Sequence, residues 1–588
     1  MVPVLFVLFG AFALAAQTLV LREYLVLHGG NEIGLGLFYG SWFGWIAIAA
    51  SVYGLFLRRR RPRSARRASR SAQRWFSALL WAYPAALVAQ ILLIRATRTL
   101  AEVPPTEPLS FGTLAAWTLW TNAPVSIVTG LVFPVGCQVL RDGAAAVGAS
   151  RSVSRAYALE SVGAFAGGLV VTALVGAFVP ALTIAMGVAA ALAVTAAAHG
   201  ATQKLRAGVV AHLAVAVAAV AGLVGPWGDQ LSSASVRARF AALVPEARLV
   251  ASGDTPYQHA SVAMMGDQVL LASNGRVVAT LPDREVHGMQ AALLMSQPRV
   301  PARVLLIGSS AQGLAAELLA YPIERLVYVE ADRVAFRLAE PHLPGPIRRA
   351  LDDPRLDLQL TDGRALVRAA SETSAAHFDL VAVVVPDPDT AARNRYFTVE
   401  FYREAARLLD RGGVLATRLS GGENVLGSEQ ASYGASVYRS LRAAFVDVGV
   451  IPGEESWLVA AGSAGVVSLD PDELARRYRS IELRTRRFPA EGFQSLLDPE
   501  RIALATATYR GVAVGERDEL LNRDARPVTY FLNLLVLGRH TGSALVDGLR
   551  ACRSVGAWWL TLPLLALAAL ALIRRSADEA GRSRHAED

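Results

Sequence analysis

Only two cysteines occur in 588 residues, Cys137 and Cys552. Both sit at the ends of apolar runs, so the polar part of the chain has no thiol nucleophile, Cys–zinc site or disulfide frame. Lysine is scarcer still. Lys204 is the only one, in a short loop between apolar runs, which removes Schiff-base catalysis from the polar part. No Gly-Lys-Ser/Thr phosphate loop and no His-Glu-x-x-His helix occurs, and no metal is expected.

What the chain has in excess is apolar sequence: 53% of its residues are hydrophobic, too many for an ordinary soluble protein. A membrane-crossing helix needs about 20 largely apolar residues. The runs predict spans at Pro3–Val20, Ile33–Leu57, Trp75–Ile94, Phe111–Leu140, Tyr157–Val179, Leu182–Ala198, Ala207–Val224 and Trp558–Ile573. The fourth is too long for one straight span and contains Asn122-Ala123-Pro124, which predicts a kink or two half-helices. The first lacks a basic leader and reads as a retained helix rather than a signal peptide.

The net charge of +9 comes mostly from arginine in short loops. Arg58-Arg59-Arg60-Arg61 opens a loop that continues through Arg63, Arg66, Arg67, Arg70 and Arg74 without an acid. Beside two spans this is a positive-inside signal rather than a nucleic-acid patch, and no nucleic-acid partner is expected. Arg141, Arg151, Arg155, Lys204 and Arg206 fall on the same side by alternation. The chain therefore reads as a multi-pass protein of the plasma (inner) membrane, with its polar domain extracytoplasmic by charge pattern. Arg22, Glu23 and Glu32 read as interfacial residues around a short turn. Gly163, Gly167 and Gly168 predict a close helix contact.

The polar domain opens with alternating strands, QHASVAMM, QVLLAS and RVVAT, split by Gly-Asp and Asn-Gly turns, which is a β-meander. A helix over Arg284–Met295 follows. The pattern then becomes strand–helix alternation: RVLLI (Arg303–Ile307), RLVYV (Arg325–Val329), LDLQL (Leu356–Leu360), DLVAVVV, then GVLATRL after a helix at Phe401–Leu409. That predicts a parallel sheet with helices on both faces, and ligands at the carboxyl ends of its strands. Glu330, Asp362 and Asp387 all stand at such ends. The first strand leads into Gly308-Ser309-Ser310-Ala311-Gln312-Gly313, which keeps the outer glycines of a dinucleotide turn. Glu330, about twenty residues on, suits ribose hydroxyls, and NAD or an adenosyl nucleoside would fit that half. Asp362 with Gly363 suits an adenine amino group better than a second NAD phosphate. Any one of these acids alone reads equally well as a helix N-cap.

Taken in order, Thr255-Pro256-Tyr257-Gln258, the meander, the glycine loop, Glu330, Thr361-Asp362-Gly363, and Pro386-Asp387-Pro388 followed by Tyr396-Phe397-Thr398 and Phe401-Tyr402 resemble spermidine synthases. The chain more closely resembles the integral-membrane spermidine-synthase-like (polyamine aminopropyltransferase) proteins. Arg22-Glu23 with Gly30-Asn31-Glu32, Tyr157-Ala158-Leu159-Glu160, Gly421-Gly422-Glu423-Asn424 and Asn522-Arg523-Asp524 with Pro527 and Tyr530 are similar to that family too. The resemblance implies a multi-helix transmembrane domain plus an α/β Rossmann-like domain of methyltransferase or spermidine-synthase type behind an N-terminal β-meander. It implies aminopropyl (or related alkyl) transfer from decarboxylated S-adenosylmethionine, or a related adenosyl nucleoside, to a small amine or polyamine. By resemblance, Gln258 faces the aminopropyl side and Glu330 the ribose. Asp362 faces the adenine, Gly308, Gly313 and Gly363 line the nucleoside, and Asp387 binds the amine.

The departures are specific. Where the soluble enzymes have an acid to activate the amine, this chain has Val384. Their glycine-loop acid is Ala311, and their Tyr-Gln/His-Glu helix sequence is Val286-His287-Gly288. Asp387, Asp389, His259, His287 and Glu423 are the substitutes on offer for the missing base. The expected layout is 1–227 for the transmembrane domain of about seven helices and 228–300 for the meander with its lead-in helix. The Rossmann-like domain follows at 301–465, a C-terminal extension at 466–553, a last membrane helix at 554–575 and a tail at 576–588. A nucleoside- or polyamine-binding membrane sensor and a polyamine transporter are the alternative classes. The lipid bilayer is an expected partner, and a homo-oligomer is compatible with the sequence.

Overall fold

The computed structural model describes residues 2–30, 32–59, 65–105, 107, 109–143, 149–298, 301–373, 377–422, 426–512, 520–541, 547 and 561–584. Among these, seven helices are long and apolar enough to cross a membrane, all ahead of residue 225. The bundle comprises α1 (Val2–Leu27), α2 (Glu32–Arg59), α3 (Ala65–Arg95), the short α4 (Thr97–Leu100), α5 (Phe111–Thr121), α6 (Ala123–Gly143), α7 (Ala149–Gly176), α8 (Ala181–Thr202) and α9 (Arg206–Val224). A polar helix, α10 (Pro226–Ala241), leads out of it. The eighth expected span begins outside the described residues. From Thr561 the chain is helical, with an apolar stretch over Thr561–Leu572.

Small residues set the closest contact of the bundle. A Cβ on Gly163 would lie 1.8 Å from the Val7 carbonyl oxygen, and one on Gly167 would lie 2.5 Å from Ala11 Cα. The expected close packing is present, between α7 and α1, with Gly10 facing the Glu160 carbonyl in return. With no hydrophobic drive between helices in lipid, such backbone approach is what holds them.

The fourth span breaks at Asn122, as Pro124 requires, but does not turn back. Gln90 of α3 donates to Asn122 Oδ1 (2.9 Å) and accepts from the Val125 N–H freed at the break (2.9 Å). Asn122 Nδ2 donates to the Phe38 carbonyl and to Ser41 of α2. Further along, Tyr53 of α2 donates to Gln138 of α6. The two segments thus run on in one direction beside α2 and count as a single span. One expectation is corrected: Arg22, Glu23 and Glu32 do flank a short turn, but Glu23 does not snorkel to the interface. α1 continues through Arg22 and Glu23 to Leu27, and Glu23 is buried between Arg95 (3.1 Å) and Arg239 (2.9 Å). An isolated carboxylate could not stay charged there, and two guanidinium groups compensate it.

The polar domain contains two sheets. β1 (Arg248–Asp254), β2 (His259–Met265), β3 (Gln268–Ser273) and β4 (Arg276–Leu281) form an antiparallel meander. β1 is one strand more than the sequence predicts. Its register slips between Leu249 and Ala251, which breaks the alternation that would reveal it. Helix α11 (Arg284–Ser296) follows. The second sheet has the order β10-β11-β9-β8-β5-β6-β7. Its strands are β5 (Arg303–Ile307), β6 (Arg325–Val329), β7 (Leu356–Gln359), β8 (Phe378–Val383), β9 (Leu409–Ser420), β10 (Asp447–Ile451) and β11 (Glu455–Ala461). β5 through β9 pair in parallel, while β10 and β11 pair antiparallel. The strand order reverses between β5 and β8, and the crevice at such a switch point is where open α/β sheets take ligands. The fold is a transmembrane helical domain joined to an α/β Rossmann-like domain.

Candidate active site

Two neighbouring cavities open at the ends of β5, β8 and β9. One, of about 270 Å³, lies over the acidic turn after β8 and is bordered by Arg276, Pro386, Asp387, Asp389, Arg393, Arg418 and Glu455. The other, of about 260 Å³, lies over the glycine loop and is bordered by Asp283, His287, Ser309, Ser310, Ala311 and Val384. Val277, Val278, Arg418 and Glu455 border both, so the two form one cleft divided by β4 and the start of β11.

Asp387 is fixed from two sides. Its Oδ1 accepts from the Ser420 N–H at the end of β9 (2.9 Å) and from the Tyr433 hydroxyl (2.9 Å). Burial, reinforced by the Asp387 charge, keeps the Tyr433 phenol protonated, so it remains a donor. Asp389 is buried and paired with Arg393 (2.7 Å), with Arg276 at 3.9 Å. Burial pushes its carboxyl upward against those two cations. Glu455 pairs with Arg418 and accepts from Gln290 (2.9 Å). Three acids thus meet three arginines in the turn cavity.

Val384 has no polar group to offer, and its backbone continues the β5–β8 pairing through a bond from its N–H to the Ile307 carbonyl (2.7 Å). His287 is the imidazole on the same cavity. Burial lowers its pKa, which leaves it neutral and able to take a proton at neutral pH. His259, the other candidate, borders neither cavity: its Nδ1 lies 2.7 Å from Asp254, its register partner on β1. Glu423 lies outside the described residues.

Gln258, Glu330 and Asp362 border neither cavity. Glu330 is 2% exposed. It accepts from Ser309 Oγ (3.0 Å), the Ser310 N–H (2.9 Å), the Asp332 N–H (3.0 Å) and Tyr328. It pins the glycine loop, including Ser310 at φ 60°, a left-handed conformation that favours glycine. A ribose at Glu330 would displace the Ser309 hydroxyl. Gln258 is clamped between Ser273 and Asp332, and Asp332 also takes the Thr255 hydroxyl (2.7 Å). Asp362 caps the helix Gly363–Thr373 through the Ala365 N–H (3.0 Å) and pairs with Arg395. Against some desolvation, those partners hold its carboxyl low.

The glycines answer to packing. A Cβ on Gly308 would lie 2.7 Å from the Val384 carbonyl, one on Gly313 2.4 Å from the His287 ring, and one on Gly363 2.7 Å from Ile307. Other motif residues lock to one another. Buried Asn522 donates to Asn394 Oδ1 (3.1 Å) and the Phe397 carbonyl (2.9 Å), while Asp524 holds Arg364 through two bonds of 2.6 Å. Asp332, Tyr433, Arg276, Arg418 and Glu455 escape sequence reasoning, because no motif or spacing marks them.

Comparisons with known proteins match this region. Residues 285–434 match the spermine/spermidine synthase domain family. The polyamine aminopropyltransferase of Mycobacterium tuberculosis is 33% identical over 172 residues, 29% of this chain and 32% of that one. The Korarchaeum cryptofilum polyamine aminopropyltransferase is 29% identical over 185 residues, 30% of this chain and 54% of that one. The Nitrosomonas europaea polyamine aminopropyltransferase is 38% identical over 120 residues, 20% of this chain and 35% of that one. Across these three the chain spans from about a third to about half of the relatives' length. Among solved structures, spermidine synthase from Thermotoga maritima aligns over 44% of this chain and 88% of its own, at 21% identity and a TM-score of 0.36. Residues 285–434, which follow seven long apolar helices, are thus similar to the spermine/spermidine synthase domain family.

Proposed function

We propose that the protein is a membrane-bound aminopropyltransferase that uses decarboxylated S-adenosylmethionine and an amine acceptor. The reading is carried by one observation: an imidazole, His287, borders the same cavity as Val384, which by resemblance stands where the soluble enzymes have their acid. The reaction needs an unprotonated amine. Its lone pair attacks the propyl carbon attached to sulfur, and the carbon–sulfur bond breaks toward sulfur. Methylthioadenosine leaves neutral, and one proton must go to a base. Asp387, held by Tyr433 and Ser420, attracts the amine, and His287 takes the proton. Glu455, which borders both cavities, is the acid nearest in role to the missing loop carboxylate for the donor's ammonium.

The charge pattern supports an extracytoplasmic polar domain. The ends of α1 and α3 meet α10 and the meander, so alternation gathers Arg74, Arg141, Lys204 and Arg206 at the opposite end of the bundle. By the positive-inside rule that end is cytoplasmic.

The test is methylthioadenosine release by the purified full chain, read by mass spectrometry across acceptor amines. A positioned base is worth roughly 10²–10⁴ in rate, and His287→Gln should lose about that much. With wild type, the rate should rise as pH climbs through a pKa below the ordinary imidazole value of about 6.5 and then level off. In His287→Gln that limb should disappear. Nucleoside binding without any methylthioadenosine would overturn the reading and leave a binding module.

A further inference from the structure

A third cavity, of about 520 Å³, lies where the membrane helices meet the polar domain. Its walls come from both parts: Ile94 and Phe111 from the bundle, Phe240 and Leu243 at α10, and Leu534 from the helix Val528–Thr541. Its polar groups are few. The Glu23–Arg95–Arg239 cluster borders it with its charges already paired. His259 borders it with a ring that is 9% exposed; Nδ1 is committed to Asp254, and Nε2 has no partner. A buried ring nitrogen left bare is costly unless something donates to it.

This junction cavity adjoins the turn cavity. Gly29, Arg276 and Val277 border both, and Val277 borders the glycine-loop cavity as well. The membrane turn closes on β4 here: a Cβ on Gly29 would lie 3.1 Å from the Arg276 guanidinium, whose Nη1 is 3.9 Å from Asp389. β4 therefore lines a path from the ends of the spans to the carboxylate turn.

The charges along that path do not suit a simple polyamine. Asp387, Asp389 and Glu455 are matched by Arg276, Arg393 and Arg418, so a dication meets no net attraction. An amine with an anionic group beside it does fit. Its ammonium faces Asp387, its anion faces Arg276, and an apolar remainder fits the junction cavity.

We infer that the junction and turn cavities form one binding site for a membrane aminophospholipid. The headgroup amine lies at Asp387, the phosphate at Arg276 and the glycerol–acyl part among the junction walls. This rests on the group transfer proposed above, for which the lipid amine is the acceptor. In the step, the lipid ammonium gives a proton to His287 and its nitrogen bonds to the propyl carbon. The carbon–sulfur electrons return to sulfur, methylthioadenosine departs, and a secondary ammonium remains on the lipid.

The experiment uses the full chain in nanodiscs with isotopically labelled decarboxylated S-adenosylmethionine. One arm contains phosphatidylethanolamine. The other contains phosphatidylcholine, with free phosphoethanolamine or putrescine added. Label on the lipid is the expected result, falling roughly tenfold or more in Arg276→Glu, which loses a charge-assisted contact, and likewise in Val277→Trp, which plugs the path. Label only on the free amines overturns the inference while leaving the transferase reading intact. If no methylthioadenosine forms with any acceptor, the transferase reading fails, and a photoactivatable phosphatidylethanolamine decides the site. Crosslinks at residues 26–29, 94–98 and 272–277 that disappear in Val277→Trp support it, and crosslinks confined to the outer faces of the spans overturn it.

Discussion

Val384 shows how much one side chain decides. It is 5% exposed, between the glycine loop and the acidic turn. Ala311, at the position of the loop acid, is equally buried, and its N–H donates to the Tyr328 hydroxyl (3.2 Å). Replacing both by aspartate (Val384→Asp with Ala311→Asp) puts carboxylates where the resemblance to spermidine synthases leads one to expect them. Turnover of a soluble diamine should rise by at least about tenfold, part of the 10²–10⁴ a positioned base supplies. The cost is desolvation, about 1–3 kcal/mol per buried polar group, visible as a lower unfolding temperature. An unchanged rate in a folded double variant would show that neither position limits the chemistry. Glu330 and Asp362 teach a related point. Both stand at strand ends, as a ligand-binding acid must, yet each is already hydrogen-bonded by its own loop or helix. The same acid at the same place serves as a cap or as a ligand contact, and only its partners distinguish the two.

Elements are held by long-range pairs that stand at recognisable motifs. The Asn394-Arg395-Tyr396 sequence and the Asn522-Arg523-Asp524 sequence lie far apart in the chain but form one lock, in which Arg395 reaches Asp362 and Asp524 reaches Arg364. In the bundle the corresponding device is the α1–α7 contact. Gly163→Leu would drive a side chain into the Val7 backbone, since even a Cβ lies 1.8 Å from its carbonyl. Overpacking typically costs about 1–3 kcal/mol, more where backbone must move. The expected result is a lower unfolding temperature in detergent, while Gly176→Leu, where nothing lies within 4 Å, should leave it unchanged. Equal effects of the two would refute a specific α1–α7 seam.

At the scale of the whole molecule, the question is which side of the membrane holds the chemistry. α5 and α6 together have 31 residues from Phe111 to Arg141, about 46 Å of helix at 1.5 Å per residue, enough to cross with the kink at Asn122. Because that kink does not reverse the chain, the seven spans place the polar domain opposite the arginine loops. A fusion at Gly253, which points into open space on β1, should give active alkaline phosphatase and no green fluorescence. A fluorescent, phosphatase-inactive fusion there would put the domain in the cytoplasm. The Glu23–Arg95–Arg239 cluster bears on the same scale, since it ties two spans to α10. Removing one partner of a buried pair costs about 3–5 kcal/mol, because the others are left uncompensated. Asp254 works beside it. Burial opposes its charge, but the His259 hydrogen bond and the Arg22 and Arg239 charges hold its pKa at about 2. That stability is present above the ordinary aspartate range and is lost as pH falls toward 2.

The sequence by itself determined seven long apolar helices, the strand–helix order and the positions of the glycine loop and the acidic turn. Each of these is periodic or local, and a run of apolar residues or a Pro-Asp-Pro turn means the same wherever the chain goes. By resemblance alone it set Val384 and Ala311 at positions where acids are expected. Only the tertiary structure decided that Glu23 is buried between arginines rather than interfacial, and that His287 borders the glycine-loop cavity while His259 borders the junction. It alone showed that Asp362 is a paired cap, that β1 adds a bulged strand, and that three cavities share β4. These depend on which side chains meet across the chain, from Arg395 at Asp362 to Arg239 at Glu23, 216 residues away. Periodicity reports only the face of a residue's own element. The partner on the opposing face, and so the charge and protonation of the pair, exists only once the elements are packed.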